Sequence, residues 1–103
     1  LETMPDAFVL ADGRLEIVSA NSAFVELIQA GSADQVRGRP LAEFLGRPGI
    51  DLDLIRSQLA KHGSASNVMT VIGARDEDPG EPVELSAVQT GGEDPHYGFV
   101  LRP

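Results

Sequence analysis

Every helix-forming signal in the sequence falls between Asn21 and His62, and strand-prone segments broken by tight turns lie on either side. Strands kept apart from helices in this way specify an α+β domain, and short turns make the neighbouring strands antiparallel. Phe8 to Ala11 and Leu15 to Ser19 form an opening pair around Asp12-Gly13, a dipeptide suited to a two-residue hairpin. Asn21 is placed to cap a helix over 21–30, in which Ala20, Phe24, Leu27 and Ile28 recur at helical spacing until Gly31. Two short helical turns are expected between Asp34 and Gly46. A longer helix over 51–62 follows, capped by Asp51, with Leu52, Ile55 and Leu59 in one stripe and Lys61 and His62 at its negative end. Residues 65–75, 82–90 and 96–102 are β-branched or aromatic and close the chain as three hairpin-linked strands. The simplest product is one five-stranded antiparallel sheet, its helices packed on one face through Phe24, Leu27, Ile28, Phe44, Leu45, Ile55 and Leu59.

The 103 residues make one domain, 1–103. Leu1 to Pro5 read as the end of an upstream helix or linker, so the chain is expected to be a fragment of a longer protein. Apolar runs of a few residues fall far short of the roughly 20 needed to span a bilayer. Sixteen acidic against eight basic side chains give a net charge of -8, which repels the phosphate backbone and argues against direct nucleic-acid contact by this domain. Without cysteine there are no disulfides, thiolate metal sites or cysteine nucleophiles, and a reducing cytoplasm is the default compartment.

An antiparallel sheet wetted on one side alternates cleanly between apolar and polar residues. Here Val68 and Ile72 oppose Met69 and Val71, Tyr97, Phe99 and Leu101 oppose Val100, and Phe8 and Leu10 oppose Val9, so both faces are apolar near the centre. The outer face is therefore expected to be covered by a flanking helix or a second copy; the plain alternative is scattered surface hydrophobes. Alternation does not say which set points outward, and the interface candidates are Met4, Val9, Met69, Val71, Tyr97 and Phe99.

Chemistry-bearing motifs are sparse. Asp76, Glu77, Asp78, Glu81 and Glu84 crowd one stretch, but Pro79-Gly80 mark a turn there, so a solvated acidic hairpin loop is expected and no metal site. There is no GxSxG, no HExxH and no phosphate-cradling glycine loop, and no acidic residue falls at an inward position. No catalytic residue is assigned, and the chain is read as a non-enzyme. A small cone-shaped α+β enzyme, with one Asp or His in an apolar pocket, is the competing class.

Met4-Pro5-Asp6-Ala7-Phe8, Asp12-Gly13-Arg14, Asn21-Ser22-Ala23-Phe24 and Arg37-Gly38-Arg39-Pro40-Leu41, in that order, resemble a PAS domain over essentially the whole chain. The second and third look like the family's D-G-x-I-x-x-x-N-x-A-F stretch, the last like its G-R-x-L turn. This resemblance implies strand order 2-1-5-4-3 with helices on one face, in sensors and transcription regulators that use the domain for dimerisation and signal relay. Within the family the chain is most similar to the PAS domains of photosynthesis-gene repressors of purple bacteria, the PpsR/CrtJ type, which place PAS domains ahead of a helix-turn-helix. The resemblance thus implies a regulatory module without a cofactor, partnered by a second copy or neighbouring PAS domains through the outer face and a flanking helix. A ligand- or haem-binding sensor is the alternative, with His62 as candidate haem ligand and Leu27, Ile28, Phe44, Ile55 and Leu59 lining a pocket. His62 stands at a helix end, where the helix dipole suffices to explain it, and His96 reads as structural or exposed.

Overall fold

The computed structural model describes residues 6–45, 48–73, 79–91 and 94–103, so the expected upstream segment Leu1 to Pro5 lies outside the described residues. In chain order come β1 (Ala7–Ala11), β2 (Ile17–Ala20), α1 (Ser22–Leu27), 3₁₀ turns at Ala33–Gln35 and Leu41–Phe44, α2 (Pro48–His62), β3 (Ser64–Ile72), β4 (Glu81–Thr90) and β5 (His96–Arg102). All five strands form one sheet in the order β2-β1-β5-β4-β3, antiparallel at every pairing. The α+β class and the strand order are those expected.

The connection from β1 to β2 is not a two-residue hairpin. Asp12 Oδ1 accepts the N–H groups of Arg14 at 2.9 Å and Glu16 at 3.0 Å, and the Asp12 carbonyl accepts the Leu15 N–H at 2.9 Å. The left-handed corner falls on Leu15, at φ 62°, rather than on Gly13. Its side chain is thereby turned into the core, where it is 4% exposed. Burial of a large apolar side chain, worth about 1.5–3 kcal/mol, offsets the strain of that conformation.

Helix α1 is shorter than its periodicity predicts. Asn21 Oδ1 caps it by accepting the Phe24 N–H at 3.0 Å. It ends in a Schellman motif, the Ala30 N–H donating to Val25 O and the Gln29 N–H to Glu26 O, with Gln29 itself at φ 60°. The stop therefore comes before Gly31. Helix α2 begins at Pro48, three residues earlier than expected, because proline fits a first helical turn whose N–H groups have no partner inside the helix. Asp51 accordingly sits inside the helix and not at its cap.

The Gly38-Arg39-Pro40-Leu41 stretch finishes the sheet edge. Gly38 donates to Ile17 O, Ile17 to Arg39 O and Leu41 to Leu15 O, so the free backbone of β2 is paired by a segment that is not itself a strand. At the other edge, Leu45 bridges Ile72.

The core lies between the helices and one sheet face. Phe24, Val36, Leu41, Ile55 and Leu59 pack toward Val9, Ile17, Leu85, Phe99 and Leu101. Phe24 and Phe44 meet edge to face at 6.0 Å, and Arg39 stacks on the Phe44 ring at 5.0 Å from its centroid. Leu27 and Phe44, expected among the core layer, are only half-buried.

Candidate functional site

Register decides which alternating set faces solvent. The pairs Val9↔Phe99 and Ala7↔Leu101, with Leu85↔Leu101 and Val68↔Leu85, put those residues on the helix side. Leu10↔Gly98↔Val88 and Phe8↔Val100↔Ser86 form the outer rows. Three of the six expected interface residues are thus corrected: Val9 and Phe99 are fully buried beneath the helices, and Tyr97, opposite Ala11, shares their face. Met69 and Val71 do lie on the outer face, opposite Glu84 and Pro82. Met4 lies outside the described residues.

The outer face carries an apolar centre that the expected set missed. Phe8 and Val88 are 40% and 48% exposed, and Leu10 and Val100 are half-buried beside them, whereas the exposed Met69 stands on β3 beyond Glu84. Gly98 leaves a notch filled by the Phe8 ring: a Cβ there would stand 3.4 Å from Phe8 Cε1 and 3.9 Å from Val88 Cγ2. Polar groups frame this centre. Arg102 Nε pairs with Asp6 Oδ2 at 3.0 Å, Glu84 lies opposite Arg102, and the Thr90 hydroxyl donates to His96 O at 3.4 Å. An apolar middle inside a polar rim is the usual anatomy of a protein contact surface. The signal that reveals the outward set is in β4, where Glu84 and Ser86 alternate with Val83, Leu85 and Ala87. Charge marks the wet side there, and the strand register carries that assignment to β5 and β1.

The five expected pocket residues belong to or pack against one core cluster, and at the surface they divide among three clefts between described residues. Ile55 and Leu59 line a cleft of about 240 Å³ with Leu15 and Tyr97, while Ile28 and Phe44 line another of about 350 Å³ beside Arg39 and Glu43. Leu27 borders a third, of about 80 Å³, near Gly73. His62 is exposed in the last turn of α2 and lines none of the three, so it offers no axial ligand to a group held there. Asp76, Glu77 and Asp78 lie outside the described residues, and among the described residues no cluster of three metal-ligating side chains occurs. His96 Nδ1 lies 3.0 Å from Asp94 O. The Asp12 carboxyl is held below the usual carboxylate range, first by the Glu16 N–H and then by the N–H and charge of Arg14 and by His96, with burial opposing them. Among the described residues no helix is long and apolar enough to cross a membrane.

Residues 1–62 match a family model described as a PAS domain. The chain is 38% identical over 82 residues to Protein CrtJ of Rhodobacter capsulatus, an alignment covering 80% of this chain and spanning 17% of CrtJ. Among solved structures, a PAS domain from Colwellia psychrerythraea superposes with TM-score 0.74 at 20% identity, over 95% of this chain and 86% of that one. A PAS domain from a two-component sensor histidine kinase gives 0.71 at 16%, over 94% and 83%. VqmA of Vibrio cholera, in a complex with ligand and DNA, gives 0.72 at 16%, over 97% of this chain and 46% of VqmA. The structural likenesses carry the fold, and the sequence matches carry kinship: this chain belongs to the PAS domain family.

Proposed function

We propose that the chain is a regulatory, non-catalytic PAS module of a cytoplasmic transcription regulator of the CrtJ kind, which pairs through its outer sheet face and relays a conformational bias to an effector. The apolar centre of Phe8, Leu10, Val88 and Val100 carries this reading, because side chains that gain nothing from water gain most from a partner. The partner is a second copy or a neighbouring PAS domain. A signal that favours one packing over another by a few kcal/mol is enough to shift the population of states. The net charge of -8 leaves contact with nucleic acid to another part of such a regulator. The test is sedimentation velocity on Phe8→Glu and Val88→Glu. Weaker self-association with an unchanged far-ultraviolet circular dichroism spectrum is expected, and unchanged sedimentation of both variants overturns the reading.

A further inference from the structure

The two edges of the sheet are finished differently. The outer backbone of β2 is paired by Gly38, Arg39 and Leu41. That of β3 is closed only at its ends: Gln58 Oε1 accepts the Ser66 N–H at 3.3 Å, the Gly73 N–H donates to Phe44 O at 2.8 Å, and Leu45 bridges Ile72. Successive residues of a strand aim their backbone groups to alternate sides, so the outward Gly73 N–H fixes the rest. Val68, Thr70 and Ile72 turn theirs toward β4. Met69 and Val71 turn theirs away, and no described backbone group pairs with either on that side. The run from Val68 to Ile72 holds no charge and no proline, the usual guards of an edge, and the register shift lies before it, at the left-handed Asn67 with φ 61°.

The charge beside this edge is acidic. On β4, Glu84 lies opposite Met69 and Glu81 opposite Ile72, and Arg102, which faces Glu84 from β5, is engaged by Asp6 at 3.0 Å. Residues 43–62 balance, with three acidic and three basic side chains, whereas residues 74–90 carry five acidic side chains against Arg75 alone. We propose that the Met69 and Val71 edge takes up an extended, lysine-bearing segment of a partner protein as a sixth strand of the sheet. Main-chain hydrogen bonds hold such a strand, and its alternate side chains select it. On the outer face a lysine stem lies along Met69, which is 61% exposed, and carries its ammonium toward Glu84. A second copy of this chain suits the edge less, because it brings the same acidic β4 alongside and adds a second net charge of -8. The inference goes beyond the outer-face reading and uses none of Phe8, Leu10, Val88 and Val100.

The experiment titrates the 103-residue chain with acetyl-Lys-Val-Lys-Val-Lys-amide and follows amide chemical shifts and hydrogen exchange. One control peptide carries glutamate for lysine, and another is N-methylated throughout. Saturable shifts centred on Asn67, Met69 and Val71 are expected, with affinity in about the millimolar range for so short a segment, and exchange of the Met69 and Val71 amides should slow. The N-methylated peptide should bind at least about tenfold more weakly, since its backbone donors are gone. The glutamate peptide should bind roughly fivefold more weakly, as exposed charges allow. Met69→Pro, which an edge strand tolerates where the N–H faces solvent, should keep the circular dichroism spectrum and lose the binding. If that variant fails to fold, the N-methylated peptide on the native chain decides the same point. Absence of saturable shifts, shifts centred away from β3, or equal binding of either control peptide overturns the proposal. So does protection of the Met69 and Val71 amides that rises with protein concentration before peptide is added, the result that pairing of two copies would give.

Discussion

Asn21 and Phe8 exchange two hydrogen bonds: the Phe8 N–H donates to Asn21 Oδ1 at 3.0 Å, and the Asn21 N–H donates to Phe8 O at 3.0 Å. The same side chain caps α1 through Phe24 N–H and donates from Nδ2 to Asp6 O at 2.8 Å. One amide thus anchors a helix start to the beginning of a central strand, next to the residue that pairs with Arg102. Asn21→Ala should destabilise the domain by about 1–2 kcal/mol, since it removes a cap and the strand bonds together. Asn21→Asp, which keeps the acceptor and loses the Asp6 bond, should fall between. Urea unfolding of the three chains checks the order.

Leu15 couples a strained backbone to a buried side chain, and the two contributions separate by substitution. Leu15→Ala loses the burial and keeps the left-handed strain; Leu15→Gly loses the burial and relieves it. Although glycine removes more carbon, Leu15→Gly should be the more stable of the two by about 1 kcal/mol. Thermal melts that place the alanine variant above the glycine variant would refute the assignment of strain.

The two sheet faces should respond oppositely to truncation. Phe99→Ala opens a cavity under the helices and should cost about 3–5 kcal/mol, whereas Met69→Ala, on the outer face, should stay within about 0.5 kcal/mol. Met69→Lys should likewise leave the unfolding midpoint in place. Denaturant midpoints measured at low protein concentration isolate this contrast from self-association.

Acid stability carries a signature of Asp12. Its pKa in the fold lies below the ordinary 3.8, so its contribution is complete above that value and disappears as pH falls through the lowered one. Asp12→Asn keeps an oxygen acceptor but cannot titrate. Stability measured between about pH 5 and pH 2 should fall less steeply in this variant than in the native chain. Parallel curves would remove Asp12 from the acid limb.

The order of elements, the α+β class, the segregation of helices from strands and the apolar character of both sheet faces are local properties, set by periodicity, turn residues and caps, and the sequence alone determined them. Asn21 as a helix cap was legible for the same reason: a cap acts on residues two and three positions away. Tertiary structure decided which side of the sheet the helices cover. Strand alternation defines two faces without labelling them, and the label comes from the register of β1 on β5 and β5 on β4, which buries Val9 and Phe99 and exposes Phe8 and Val88. The left-handed corners at Leu15 and Gln29 depended on tertiary burial and helix-end geometry, which outweighed the local preference for the nearby glycines. The cleft that Ile55 and Leu59 line with Leu15 and Tyr97 is assembled only by folding, since no local rule relates positions so far apart in the chain.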